Sequence, residues 1–243
     1  MSEYAQQTVS SIVRADYRTA DVFKGYGINY CCSGNVPLSL ACALRQLDPA
    51  EVEQALDRAT RHVRVSNILP FGEWRTDFLI DYIVNVHHAY LGRVLPALEG
   101  DWTAFMDRHG SKYDFLPEAD TVFRRLAALL LAHDRHQEST VFPYIKQIDS
   151  ACRRQEPYGN LFVRTLRKPF DNAETEYAAI DTLFDKLRAV TSDFGFPAGA
   201  CTNHQVLMHR LRELYDDVLQ HRHLERSLLY PKAVQTEQQL LRV

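Results

Sequence analysis

The chain has 243 residues, 28 Lys and Arg against 31 Asp and Glu, a formal net charge of -3 and 46% apolar residues, a globular balance with room for one large domain or for a small and a medium one. The slightly negative total and the lack of a basic tract argue against a nucleic-acid surface. The longest purely apolar run, residues 126–132, is far short of the about 20 residues a membrane span requires. The first residues are polar where a signal peptide would be apolar, which points to a cytoplasmic protein. Five cysteines, an odd number, do not make a disulfide framework.

Glycine and proline are sparse and clustered, and helical periodicity fills the intervals, so the expected class is all-α. Residues 8–14 and 19–26 read as short helices. They lead into a turn-rich segment, GYGINYCCSGNVP, at residues 25–37, after which residues 38–47 resume helix. Asp48-Pro49 opens another helix, with Asp as N-cap and Pro at the first helical position. This gives a small helical domain over residues 1–62. Asn67, Pro70 and Gly72 mark a linker at 63–73, and residues 74–243 form the second domain.

That second domain carries four long helical patterns, at about residues 76–109, 117–148, 162–191 and 203–240, with a break expected near Pro96 and Gly100 and a kink near Pro231. Four such helices with short connections make an antiparallel four-helix bundle. Core positions spaced three and four apart thread each helix, and each thread meets something polar. The first holds His88 between Val84 and Leu91. The second holds His133 and Gln137 between Leu130 and Val141. The third holds Tyr177 between Ala173 and Ile180, and the fourth holds His221 and Glu225 between Val218 and Leu228.

Buried without partners, such groups would cost on the order of 2–7 kcal/mol each. A single inward histidine is ordinarily a hydrogen-bonded core residue. Three on facing stripes, with a carboxylate four residues beyond one of them, have the pattern by which bundles build metal sites, and imidazole with carboxylate suits iron, zinc or manganese. His88, His133, His221 and Glu225 are therefore the expected metal ligands, with Tyr177 and Gln137 as further candidates. His87, His136 and His223 lie beside the stripes and are expected at the surface or behind the ligands.

His133 leads to VFP at 141–143 and His221 to LYP at 229–231. These tails resemble the hemerythrin-like cation-binding family, whose second and fourth helices read close to H-x3-E-E-x3-F-P. The N-terminal run Gly27-Ile28-Asn29-Tyr30-Cys31-Cys32-Ser33-Gly34, followed by Leu40-Ala41-Cys42, resembles the short domain that precedes such a bundle in the family for repair of iron centres, with its signature near G-I-D-Y-C-C-G-G. The two resemblances cover nearly the whole chain in the right order. They imply a hemerythrin-like bundle with non-haem iron, di-iron in the family, acting on iron–sulfur clusters damaged by nitric oxide or oxidants. They also imply damaged iron–sulfur proteins as clients and a redox or client-contacting role for Cys31 and Cys32. A homodimer is compatible with this reading; nucleic acid and membrane are not expected as partners.

The chain departs from the family at two ligand positions. Gln137 stands where the family has a bridging glutamate, and Tyr177, after Glu176, stands where it has a histidine. Glu138 is five residues from His133, about 140° further round an ideal helix. With Glu225 as the one carboxylate on the stripes, a depleted site is expected, down to a single ion. A metal or small-ligand sensor or carrier, and a degenerate bundle with no complete di-iron site, are the alternative readings. Whether the protein turns over as an enzyme is not visible in these residues.

Overall fold

A computed structural model describes residues 4–31, 34–61, 69–165 and 173–242. Its contacts divide the chain into two units, Met1–Asn67 with Phe194–Arg212, and Ile68–Asp193 with Glu213–Val243. Among the described residues there is no strand, only an isolated bridge between Thr8 and Pro37. No described helix is long and apolar enough to cross a membrane.

The first unit is built on α1 (Val9–Ala15), α2 (Thr19–Gly25), α3 (Leu38–Arg45) and α4 (Pro49–Thr60). Thr8 caps α1 by accepting from the Ser11 amide. Asp48 caps α4 by accepting from the Ala50 amide, with Pro49 at the first helical position. Val9, Ile12, Phe23, Leu38, Cys42, Val52 and Leu56 are buried together, and Val206 from the returning segment joins them. The same segment supplies Arg210, ion-paired with Asp21, and His209, stacked on Tyr17 with ring centroids 5.2 Å apart. Residues 194–212, which periodicity assigned wholly to the bundle, thus have contacts in the first unit.

The cysteine-bearing turn is held by specific contacts. Ser10 donates its amide to the Gly34 carbonyl (2.8 Å) and its hydroxyl to Asn35 Oδ1 (2.9 Å), and the Cys31 amide donates to Asn29 Oδ1 (2.9 Å). Gly34 is required, because a Cβ there would lie 2.2 Å from the Tyr30 carbonyl oxygen. Cys31 is half-buried, and Cys42 is a fully buried free thiol. Burial pushes the Cys42 thiol above its ordinary pKa, so Cys42 is the unreactive one. Cys32 lies outside the described residues.

The second unit is the antiparallel four-helix bundle. Its first helix runs α5 (Thr76–Tyr82), a π-helical stretch at Ile83–His88, then α6 (Ala89–His109). It continues through Pro96 without the expected break. The second runs α7 (Leu116–His136), a π stretch at Gln137–Val141, then α8 (Phe142–Arg154). The third comprises α9 (Gly159–Thr165) and α10 (Ala173–Val190). The fourth runs α11 (Thr202–His223), of which the part from Glu213 belongs to this unit, a π stretch at Leu224–Leu229, then α12 (Tyr230–Arg242). Among the described residues, the first, second and fourth helices therefore widen at the level of the polar residues.

The tails noted in the sequence account for two of these widenings. Proline lacks an amide hydrogen, and its ring clashes with the carbonyl four residues back. For Pro143 and Pro231 those carbonyls belong to Ser139 and Ser227, inside the π stretches. A π turn moves that carbonyl aside, so VFP and LYP are followed by further helix, and the irregularity expected near Pro231 takes the form of a π stretch just before it.

Apolar side chains close the bundle on both sides of the polar level. Ile80, Ile83, Phe142, Ile145, Leu224 and Leu229 lie toward one end. Leu91, Leu95, Trp102, Phe123, Leu126, Leu130 and Leu187 are buried toward the other. Each such side chain contributes about 1.5–3 kcal/mol through burial, and this apolar packing supports the polar residues between.

Candidate metal centre

His88, His133, His221 and Glu225 meet between the helices, all less than 5% exposed. His88 Nε2 lies 3.1 Å from His221 Nε2. His133 Nε2 lies 3.2 Å from Glu225 Oε2, and His221 Nε2 lies 3.3 Å from Glu225 Oε1. The sequence stripes thus converge on one volume.

Carboxylates behind two of these imidazoles set their orientation. His88 donates from Nδ1 to Glu138 Oε1 (2.8 Å), and His133 from Nδ1 to Glu176 Oε2 (2.9 Å). Fixing the proton on Nδ1 turns Nε2 toward the centre and raises its basicity, as in metal-binding histidines. Glu138, placed off-face by the sequence argument, reaches the neighbouring helix's histidine instead of replacing residue 137. Glu174 is not in the site; it pairs with Arg226 at the surface.

Gln137 is buried at the edge of the centre, and its Oε1 has no hydrogen-bond partner among the described residues. Tyr177 is buried too; its hydroxyl donates to Glu225 Oε2 (2.5 Å) and lies 3.1 Å from the Tyr230 hydroxyl. Burial and the Glu225 charge push the Tyr177 phenol far above its ordinary pKa, so in this arrangement it is a neutral donor to Glu225.

Of the two places expected for His87, the structure shows the one behind the ligands: it is 1% exposed, donates from Nδ1 to Asp217 (2.9 Å), and stacks on His221 at 5.5 Å. Sequence reasoning passed over one residue at the centre. Asp134, directly after His133, is 5% exposed, and its Oδ1 lies 3.7 Å from His88 Nε2. One signal was available in the sequence. Leu130, Leu131, Gln137 and Glu138 occupy the positions three and four residues away, so Asp134 has no basic helical neighbour of the kind a surface carboxylate has.

The electrostatics suit a cation. Burial raises the Asp134 carboxyl to about 6. Burial, then the adjacent His221, lowers His88 to about 4. Burial also opposes charge on His133 and His221, but carboxylates prevail: Glu176 and Glu225 raise His133 to about 10, and Glu225 raises His221. Glu225 is held well below its ordinary value by His221 and His133, against its own burial. Protons on imidazoles are thus compensating buried carboxylates. Two sets of donor atoms each lie mutually within 4.8 Å, His133 with His221 and Glu225, and His88 with Asp134 and His221. Facing imidazole nitrogens and a buried, unpartnered Asp134 Oδ1 fit a non-haem iron ion, which would satisfy these donors together.

A pH dependence follows. An ion held by His133 Nε2 would displace the proton that the carboxylates hold there. From pH 6.5 up to about 10, the unperturbed and folded-state values of His133, at least one proton should leave on binding. Apparent Fe(II) affinity should then rise about tenfold per pH unit for each proton released. Anaerobic titrations at two pH values in this window check this; equal affinity at both would contradict it.

The hemerythrin HHE cation binding domain profile matches residues 79–233, and that of a domain of unknown function, ScdA_N (DUF542), matches residues 5–60. The chain is 25% identical over 231 residues to a probable iron-sulfur cluster repair protein of Haemophilus influenzae, covering 95% of this chain and 98% of that one. It is 23% identical over 227 residues to the iron-sulfur cluster repair protein ScdA of Staphylococcus haemolyticus, covering 93% and 97%. It is 25% identical over 237 residues to the iron-sulfur cluster repair protein YtfE of Escherichia coli O157:H7, covering 96% and 99%. With the bundle, its converging histidines and the matching N-terminal domain in place, the chain belongs to the hemerythrin HHE cation binding family, in the form that carries a ScdA_N domain in front of the bundle.

Proposed function

We propose that this protein holds non-haem iron on His88, His133, His221 and Glu225 and restores iron–sulfur clusters damaged by nitric oxide or oxidants. The observation that carries this reading is the convergence of three imidazoles and a buried carboxylate at one level of the bundle, in a chain related over nearly its full length to proteins named for cluster repair. Bound iron would supply redox chemistry and open positions for small ligands. Glu138 and Glu176 hold the Nδ1 protons of His88 and His133, keeping Nε2 free for the centre. Tyr177 holds Glu225 in place from the side. The clients are damaged iron–sulfur proteins of the cytoplasm, and Cys31 and Cys32 contact the client or pass electrons to it.

The test uses aconitase inactivated by nitric oxide. Iron-loaded protein should restore its activity faster than the same amount of free Fe(II) with metal-free protein. Equal recovery in the two cases would overturn the repair reading and favour a carrier or sensor.

A further inference from the structure

Gln137 brings a neutral amide to a position where the family has a carboxylate, so the charge of a second cation has to be met elsewhere. We infer that Asp134 is a metal ligand of this chain, the carboxylate of a second ion position formed with His88. This rests on the reading that the bundle binds iron.

Neighbouring residues on a helix point about 100° apart. His133 takes the side of Glu225 and Tyr177, and Asp134 the side of His88. The two donor sets share His221. A ring nitrogen binds one ion, so the sets describe two adjacent positions, one with Glu225 as its carboxylate and one with Asp134. The number of fully inward carboxylates is thus two rather than the one counted on the stripes.

A structural role would give the Asp134 carboxylate a hydrogen-bond donor. Its Oδ1 has none among the described residues, although it is buried. His88, the nearest imidazole at 3.7 Å, already directs its Nδ1 proton to Glu138. An unpartnered carboxylate oxygen in the interior is destabilising. A cation seated between Asp134 Oδ1 and His88 Nε2 satisfies both.

Asp134→Asn keeps the shape and removes the charge. Wild-type and variant chains, stripped of metal and reloaded anaerobically with Fe(II), are compared by iron per chain and by melting temperature with and without iron. The wild-type chain should take up about two irons and Asp134→Asn about one. Without metal, the variant should melt at the same temperature as wild type or higher, and its stabilisation by iron should shrink. Adding Gln137→Glu to Asp134→Asn should return the second iron, because the carboxylate is restored from the facing edge of the site.

Equal iron content in wild type and Asp134→Asn would overturn the inference while leaving the iron reading intact. So would a metal-free Asp134→Asn chain that melts well below wild type and whose iron is not recovered by Gln137→Glu, since that is the behaviour of a structural residue. A wild-type chain that takes up no iron would overturn the iron reading itself, and this inference with it.

Discussion

His221→Ala should strip the protein of iron, leaving less than about a tenth of the wild-type content after reconstitution, since deleting one donor from a metal site commonly costs more than the 10–100-fold seen for its supporting hydrogen bonds. His221 is the residue common to both donor sets, so its loss removes a ligand from whichever position fills first. It is also 3.1 Å from His88 and 3.3 Å from Glu225, at the meeting point of the two sets. His223→Ala, two residues on and exposed, is the matched control and should keep its iron. Metal analysis of the two variants, with helical content from circular dichroism, decides the matter; comparable iron in both would remove His221 from the centre.

Glu225→Gln should be the most destabilising single change in the metal-free bundle. Glu225 is fully buried and faces two imidazoles, His133 and His221, whose protons it holds. Removing one side of a buried ion pair costs about 3–5 kcal/mol, roughly 10 °C in melting temperature for a domain of this size. Iron should be lost as well. Tyr177→Phe separates the two effects. It removes the hydroxyl that donates to Glu225, a hydrogen bond to a charged group worth about 1.5–3 kcal/mol, but it removes no donor atom of either set. The Tyr177→Phe chain should therefore melt lower yet keep its iron, and its visible spectrum should match wild type. A phenolate-to-iron band present in wild type and absent in Tyr177→Phe would instead make Tyr177 a ligand.

The all-α class and the level at which the buried polar residues meet were legible from the sequence. Each follows from spacing along a single helix: apolar residues three and four apart define a buried stripe, and a polar residue within it must face the interior. Asp48-Pro49 and the VFP and LYP tails are equally local signals. So were His88, His133, His221 and Glu225, because a residue on the stripe is inward whatever the neighbouring helices do.

Which group each polar side chain meets across the bundle was decided only by the tertiary structure. Glu138 is aimed at a histidine on another helix, His87 meets Asp217, and Asp134 lies 3.7 Å from His88. An ideal period of 3.6 residues puts Glu138 about 140° from His133, but single-helix spacing does not register which side chain of another helix it meets. The protonation of the centre is likewise collective: His133 is raised to about 10 and His88 lowered to about 4, though both are histidines on equivalent stripes. Sequence specifies the groups, but their charge depends on which carboxylate each meets across the bundle, and that distance exists only once the helices pack.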